Sequence, residues 1–119
     1  MHHIVSLEAA ALIAQARRHG DPLSLLVIDI DHFKAINDSR GHATGDRALC
    51  LLPATLQAAL RRGDLAGRWG GEEFCVLLAR TAPADAAAFD ARLRTTLAAR
   101  ARAELGFDLG FSTGLAQLQ

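Results

Sequence analysis

The chain has no excess of charge of either sign and no apolar run long enough to cross a membrane. Its 119 residues carry 13 basic and 13 acidic side chains. A neutral chain gives no electrostatic reason for broad binding to nucleic acid or anionic membranes, although one local basic site stays open. A membrane span needs about 20 apolar residues, and the N-terminus lacks the charged-then-apolar pattern of a secretion signal. We therefore expect a cytoplasmic protein without a membrane segment or a nucleic-acid partner.

The chain also has few cysteines. Cys50 and Cys75 are the only two cysteines, and both stand in apolar runs without the spacing of metal ligands. This pattern predicts buried free thiols of a reducing compartment rather than a disulfide. The length suffices for one domain with a modest core and not for two, and the apolar half of the residues fits a soluble globular protein.

Helical and strand patterns alternate along the chain. We predict helices over 7–19, 32–36, 45–61 and 84–102, strands over 23–28, 64–69, 75–78 and 107–115, and a loop over 37–42. Pro53 inside the third helix should cost about 3 kcal/mol or force a kink. Helices that alternate with strands, together with one hairpin, predict an α/β (α+β) fold: a ferredoxin-like mixed antiparallel sheet with flanking helices.

The most informative segment is Gly70-Gly71-Glu72-Glu73-Phe74. It joins two short predicted strands, so it forms the tip of a β-hairpin. Two glycines let the backbone turn sharply and let a bulky ligand come close. Two adjacent carboxylates offer the hard oxygen ligands that Mg²⁺ prefers. The segment therefore predicts a site for a nucleotide phosphate and its metal.

A second acidic cluster, Asp29 and Asp31, follows the first buried strand. For Asp31 we favour a simple role as the cap of the next helix. For Asp29 taken alone we favour a structural role over metal binding. If its strand pairs beside the hairpin, Asp29 and Glu72 can meet across the sheet. Two close carboxylates repel each other unless a cation lies between them, which points to Mg²⁺ and phosphate chemistry.

Three polar residues surround the glycine-bearing loop that follows, namely Asn37, His42 and Asp46. One interpretation is a plain loop with a helix start, in which Asp46 caps the helix and favours its dipole. The other is recognition of a base and ribose, because Asp and Asn can accept and donate hydrogen bonds along a purine edge. The residues alone leave both interpretations open.

Taken together, residues 29–38, 41–46, 64–74 and 111–116 resemble the GGDEF family of diguanylate cyclase domains. The resemblance implies a nucleotidyl-cyclase palm fold and bacterial second-messenger signalling, in which two GTP molecules are joined into cyclic di-GMP with release of pyrophosphate. It also implies Mg²⁺ (or Mn²⁺), a homodimer with two sites face to face, and a linked sensor domain. Glutamate at position 72 is a common form of the motif.

The resemblance also implies a role for each matching residue. Asp29, the carbonyl of Ile30, Glu72 and Glu73 would bind the metal, and Glu72 would help to deprotonate the attacking 3′-hydroxyl. The residues that would contact GTP are Asn37 and Asp46 at guanine, His42 near the ribose and base, Phe33 and Lys34 beside the phosphates, and Gly70 and Gly71, which leave the phosphates room.

An Arg-x-x-Asp stretch upstream of the turn, from Arg61 to Asp64, resembles the product-inhibition site of the family. Arg61 would clamp cyclic di-GMP and Asp64 would bind a guanine edge. The structural alternative is an ordinary helix end, where cations favour the helix dipole.

The resemblance is incomplete at both ends of the chain. We expect 1–119 to be a single GGDEF domain that lacks the usual N-terminal turn and the usual C-terminal helix, whose lysine and arginine would contact the phosphates. Two functional hypotheses therefore stand. The first is a diguanylate cyclase, and the second is a catalytically inactive module that binds cyclic di-GMP or GTP as a sensor or regulatory domain.

Overall fold

The computed structural model describes residues 2–118, and the side chains of residues 7–118. Four helices and four strands follow one another in the predicted order. They are α1 (His2–His19), β1 (Leu23–Ile30), α2 (Phe33–Arg40), α3 (His42–Ala59), β2 (Leu65–Arg68), β3 (Glu73–Ala79), α4 (Pro83–Leu105) and β4 (Phe111–Leu118). None of the helices in this part of the chain is long and apolar enough to cross a bilayer.

The strands form one sheet in the order β2-β3-β1-β4. All three pairings are antiparallel. The two sequence-adjacent strands β2 and β3 form the hairpin, while β1 and β4 lie side by side although they are far apart in sequence. This arrangement confirms the predicted ferredoxin-like α+β fold.

The core follows from the alternation of side chains along the central strands. Leu26, Ile28 and Ile30 of β1 point to one face and pack with buried residues of α3 and α4. On the other face, Leu23 and Leu77 pack with Ala16 of α1 in a smaller cluster. On that second face Val27 and Trp69 remain partly exposed, in an apolar groove that Ala9 and Ile13 of α1 also line. The sheet is thus covered fully on one face and partly on the other.

Several predicted boundaries were wrong. Helix α2 runs to Arg40, so the expected loop over 37–42 shrinks to Gly41, whose φ of 92° is accessible chiefly to glycine. The N–H of Gly41 donates to the carbonyl of Asn37 at 2.9 Å and closes α2. Pro53 lies inside α3, which continues to Ala59. Strand β4 begins only at Phe111, because its partner is the end of β1 at Ile30.

The two cysteines differ in their surroundings. Both are free thiols, as predicted. Cys50, however, lies exposed on α3, so the prediction that it is buried was wrong. Consecutive apolar residues in a helix point in all directions around its axis, so some of them face solvent. Cys50 is one of these. Cys75 is half-buried on β3.

Candidate active site

Strand pairing brings the acidic clusters together at one end of the sheet. Asp29, near the end of β1, is the direct cross-strand partner of Glu73, the first residue of β3. Glu72 lies one residue closer to the turn, and its carbonyl accepts the N–H of Ile30 at 3.2 Å. The hydrogen bonds and ion pairs among residues 7–118 leave the carboxylates of Asp29, Glu72 and Glu73 without a partner. Like charges directly opposite each other destabilise a sheet, so this end carries negative charge that no described side chain compensates.

The Gly-Gly turn is held rigidly. The carbonyl of Glu73 accepts the N–H groups of Trp69 at 2.7 Å and Gly70 at 3.3 Å. A Cβ at Gly70 would lie 2.9 Å from Oε1 of Glu73, so a side chain there would displace the carboxylate. A Cβ at Gly71 would meet nothing within 4 Å. The first glycine therefore makes room for Glu73, and the second leaves the turn open to an approaching group.

Arg68 also shapes this turn, and sequence reasoning missed it. Its Nε donates to the carbonyls of Gly70 at 3.2 Å and Gly71 at 2.9 Å, and Nη2 donates to Gly71 at 2.5 Å. Such charge-assisted bonds are stronger than neutral ones. They hold the carbonyls of Gly70 and Gly71 toward Arg68. The only sequence signal was an arginine two residues before the first glycine.

Asp31 does not cap the next helix, so that prediction was wrong. The residue before α2 is His32, in the left-handed conformation with φ 57°, and no side chain caps the helix there. Asp31 instead binds β4: its N–H donates to the carbonyl of Gly110 at 3.0 Å, and its carboxylate accepts the hydroxyl of Ser112 at 2.6 Å. Asp31 therefore fixes the end of β1 against β4, next to Asp29.

The donor set suits a metal only in part. Within residues 7–118 no three histidine, cysteine or acidic side chains converge closely enough to hold a metal ion by themselves. Asp29 and Glu73 supply two opposed carboxylates, with Glu72 and the backbone of Ile30 beside them. Mg²⁺ is commonly held by one or two carboxylates together with substrate phosphates. The residues present therefore fit Mg²⁺ that arrives with a phosphate ligand.

The predicted nucleotide contacts lie on α2 and the start of α3. Phe33 is half-buried against the core, whereas the side chain of Lys34 is 91% exposed and pairs with Asp38 at 3.2 Å. His42 is the exposed first residue of α3. Asp46 is the fifth residue of that helix, so the alternative in which it caps the helix was wrong. It is exposed and borders a groove of about 400 Å³ between α3 and α4.

Asn37 has an unusual environment between these helices. Its Oδ1 is buried and accepts no conventional hydrogen bond from the residues that the structure describes. The atom points at Gly45, where a Cβ would lie only 1.8 Å away. A buried polar atom without a partner is costly, which marks Asn37 as more than a loop residue.

The Arg-x-x-Asp stretch lies at the opposite end of β3. The side chain of Asp64 is 1% exposed, and its Oδ1 accepts the N–H of Ala79 at 2.9 Å. Its Oδ2 accepts the backbone N–H of Arg61 at 2.9 Å and Nε at 3.4 Å. Nη2 of Arg61 donates to the carbonyl of Ala79 and to Oγ1 of Thr81, both at 2.8 Å. Asp64 is thus fully engaged inside the fold and would have to exchange these bonds to contact a ligand.

Arg61 is less enclosed than Asp64. Its side chain is 62% exposed. A polar groove of about 370 Å³ runs past Arg61, Arg62 and Leu60. Six residue steps of about 3.4 Å along β3 separate this end from Glu73, which is about 20 Å. The structure therefore places the predicted residues in two regions, one acidic and one arginine-rich.

Comparison with known proteins agrees with this geometry. The family described as "Diguanylate cyclase, GGDEF domain" matches residues 2–119. Diguanylate cyclase DgcM of Escherichia coli is 59% identical over 64 residues, which are 54% of this chain and 15% of that protein. The chain spans less than a fifth of the length of the curated relatives that it matches.

Solved structures show the same similarity over most of the chain. The active GGEEF domain of a diguanylate cyclase from Vibrio cholerae superposes with a TM-score of 0.83 at 36% identity, covering 92% of this chain and 70% of that one. The GGDEF domain of DgcB from Caulobacter crescentus, solved with c-di-GMP, gives 0.81 at 30% identity, covering 92% and 67%. Because the family match spans nearly every residue and the fold agrees, the chain belongs to the GGDEF domain family of diguanylate cyclases.

Proposed function

We propose that this chain is the catalytic core of a diguanylate cyclase that condenses two GTP molecules into cyclic di-GMP and releases pyrophosphate. One observation carries the proposal: Asp29 and Glu73 oppose each other without partners beside an open glycine turn. Two exposed carboxylates in that position weaken the sheet. Their arrangement is explained if a metal and nucleotide phosphates bind between them.

Each residue at this end has a distinct task in the proposal. Asp29, the carbonyl of Ile30, Glu72 and Glu73 hold Mg²⁺ or Mn²⁺. When bound, the metal neutralises charge on the phosphates and polarises them toward attack. Glu72 accepts the proton of the attacking 3′-hydroxyl. Gly71 lets the phosphates approach the backbone closely, and Gly70 keeps the carboxylate of Glu73 in place.

The helical residues bind the rest of the nucleotide. Asn37 and Asp46 read guanine, and His42 lies near the ribose and base. Phe33 and Lys34 line the phosphate side. The ion pair of Lys34 with Asp38 is almost fully exposed, and such pairs are worth about 0–1 kcal/mol. Lys34 can therefore leave Asp38 for a phosphate at small cost.

The reaction requires two copies of the chain. Each copy presents one set of the metal-binding carboxylates, and the product is made from two nucleotides. We therefore propose an active homodimer in which two such sites face each other, regulated by a linked sensor domain. The matched segment is only 15% of DgcM, so a longer protein of that kind leaves room for a sensor domain.

The proposal is tested by incubating the purified chain with GTP and Mg²⁺ and separating the products by chromatography. We expect cyclic di-GMP and pyrophosphate from the wild type and no detectable product from Glu72→Gln. That substitution keeps the shape of the side chain but removes the metal ligand and the proton acceptor. Asp85→Asn is the control, because it removes one exposed carboxylate charge on α4 and borders none of the grooves described above.

The outcomes separate the hypotheses clearly. Product formation that survives Glu72→Gln would remove the assigned role of Glu72. A folded wild-type chain that binds GTP but makes no product would favour a binding module over a cyclase. Both variants should melt within about 2 °C of the wild type, since exposed substitutions usually change stability little.

A second function has support at the arginine-rich end. We propose that Arg61 and Asp64 form a regulatory site for cyclic di-GMP, in which the exposed guanidinium of Arg61 contacts the ligand and Asp64 holds Arg61 in place. The polar groove beside Arg61 and Arg62 also has Glu8 and Asp64 in its lining, so it offers both cationic groups for a phosphate and carboxylates for a base edge. In a cyclase this site provides product inhibition, and in a catalytically inactive module it is the main function.

A further inference from the structure

We infer that Gly45 is a positioning residue for nucleotide recognition: the lack of a side chain there fixes the amide of Asn37 with its oxygen inward and its nitrogen toward the ligand. The inference deepens the proposed binding of guanine and rests on it. Gly45 itself does not touch the nucleotide. It acts through Asn37 alone.

The first support is steric. A Cβ at position 45 would lie 1.8 Å from Oδ1 and 2.9 Å from Cγ of Asn37. Such distances are far inside van der Waals contact, so an alanine and the present position of the amide exclude each other. The clashing atoms belong to the end of a short side chain and not to the backbone. The fold can therefore accept alanine by moving the Asn37 amide.

The second support is the polar state of Asn37. Its Oδ1 is buried and unpaired within the described residues. The Cα hydrogen of Gly45 that takes the place of a Cβ points at this oxygen, which gives a weak Cα–H···O contact. The two N–H donors at the other end of the amide are then left for a ligand. The N–H of Asn37 can donate to N3 of guanine, which is an acceptor. The carboxylate of Asp46 can accept from the neighbouring N2 amino group.

The backbone keeps the two residues in register. The N–H of Gly41 donates to the carbonyl of Asn37 at 2.9 Å, and the N–H of Gly45 donates to the carbonyl of Gly41 at 3.1 Å. This short chain of bonds joins the end of α2 to the first turn of α3. The distance between Gly45 and Asn37 is thus set by main-chain geometry, and the missing Cβ decides where the amide lies.

The test compares Gly45→Ala with Gly114→Ala, a glycine where a Cβ would meet nothing within 4 Å. The affinity for a non-reactive GTP analogue with Mg²⁺ is measured by calorimetry. We expect Gly45→Ala to bind at least tenfold more weakly with little change in melting temperature, and Gly114→Ala to bind as the wild type does. Asn37→Asp, which has the same shape but no N–H donor, should lose a similar factor.

The double variant Asn37→Ala/Gly45→Ala decides whether Gly45 acts through Asn37. It should bind no more weakly than Asn37→Ala alone, because residues in contact act non-additively. Additive losses would overturn the inference, and so would wild-type affinity in Gly45→Ala. Full affinity in Asn37→Asp would overturn the assigned direction of the amide.

A ligand-free measurement separates this inference from the proposed function. The side-chain NH₂ resonances of Asn37 in the free protein should shift in Gly45→Ala and stay unchanged in Gly114→Ala. If the wild type fails to bind GTP while these resonances shift as expected, guanine binding is wrong and the steric relation holds. Unchanged resonances in Gly45→Ala would overturn the positioning itself.

Discussion

The two ends of the central sheet treat carboxylates in opposite ways. At one end, Asp29 and Glu73 face each other across β1 and β3 without partners. At the other end, the side chain of Asp64 is 1% exposed and accepts bonds from Ala79 and Arg61. Both clusters were expected to be functional from the same family resemblance. Their physical states are nevertheless different, so motif membership alone does not tell which carboxylate is available to a ligand.

The difference separates structural from functional charge. A buried carboxylate that accepts several N–H groups organises the fold, because removing it strands donors away from water. Opposed carboxylates without partners do the reverse, since they weaken the sheet that carries them. The carboxylates at the acidic end therefore cost stability, which the proposed metal site would explain. At the arginine-rich end the proposed ligand would have to share its groups with the fold.

The largest expected effect follows from making the same substitution at both ends. Asp64→Asn replaces one carboxylate oxygen, which accepts a hydrogen bond, by an NH₂ group, which can only donate. This NH₂ group would face the backbone N–H of Arg61 or of Ala79, so that one hydrogen bond is lost. We expect the free energy of unfolding to fall by about 2–3 kcal/mol, since hydrogen bonds to charged groups contribute about 1.5–3 kcal/mol each. Urea denaturation with a fixed slope measures the change.

Asp29→Asn is the matched variant at the acidic end. It relieves repulsion with Glu73, so the free energy of unfolding should stay unchanged or rise by about 0.5 kcal/mol. The same variant should lose the rise in melting temperature that GTP with Mg²⁺ gives the wild type. Equal destabilisation by both Asp→Asn substitutions would contradict the contrast between the two ends.

Arg61→Ala tests whether the arginine-rich end also binds a ligand. We expect affinity for cyclic di-GMP to fall at least tenfold, which corresponds to about 1.4 kcal/mol. Calorimetry below the melting range of the variant measures it, because Arg61 also donates to Ala79 and Thr81 and its loss should lower stability. Arg92→Ala, an exposed arginine on α4, is the control for a lost charge. Wild-type affinity in Arg61→Ala would remove the regulatory site and leave Arg61 a purely structural role.

The order of the elements was predictable from sequence because its signals are local. A short local pattern predicts each element: an apolar run for β1, alanine-rich stretches for the helices, and the two glycines for the hairpin turn. The loop expected over 37–42 failed because its polar residues are weak helix formers. Packing of α2 against α3 overrides that propensity, and a single glycine suffices as the break.

The sequence predicted which residues belong to the candidate site, but it did not predict which of them contact each other. The resemblance named Asp29 and Glu73, but only the register of β1 and β3 shows that they are direct partners. The tasks of Arg68 at the turn and Gly45 beneath Asn37 depend on groups that meet in space. The capping role expected of Asp31 failed because Ser112, 81 residues away, takes its carboxylate. Long-range partners of this kind leave no periodic trace in a sequence.

The smallest predicted effect is on the reactivity of the two cysteines. The reaction rate of Cys75, compared with that of Cys50, reports the negative charge at the acidic end of the sheet. Burial, and secondly the carboxylate of Glu73, raise the pKa of Cys75 above its ordinary value of 9.0. The reactive form of cysteine is the thiolate. At pH 8 a thiol reagent should therefore modify exposed Cys50 at least tenfold faster than Cys75, as measured by mass spectrometry over time.

Glu73→Gln should then accelerate the reaction of Cys75 by a few-fold and leave the rate of Cys50 unchanged. The direction also fixes a pH effect on stability. A raised pKa in the folded state contributes stability that is fully present below the unfolded pKa and is lost as the pH rises through the folded value. Stability attributable to Cys75 should thus decline above about pH 9, and Cys75→Ser should remove that decline. If Glu73→Gln leaves the rate of Cys75 unchanged, burial alone raises the pKa of the thiol. The negative charge of Glu73 would then be too weakly felt at β3 to destabilise the acidic end of the sheet.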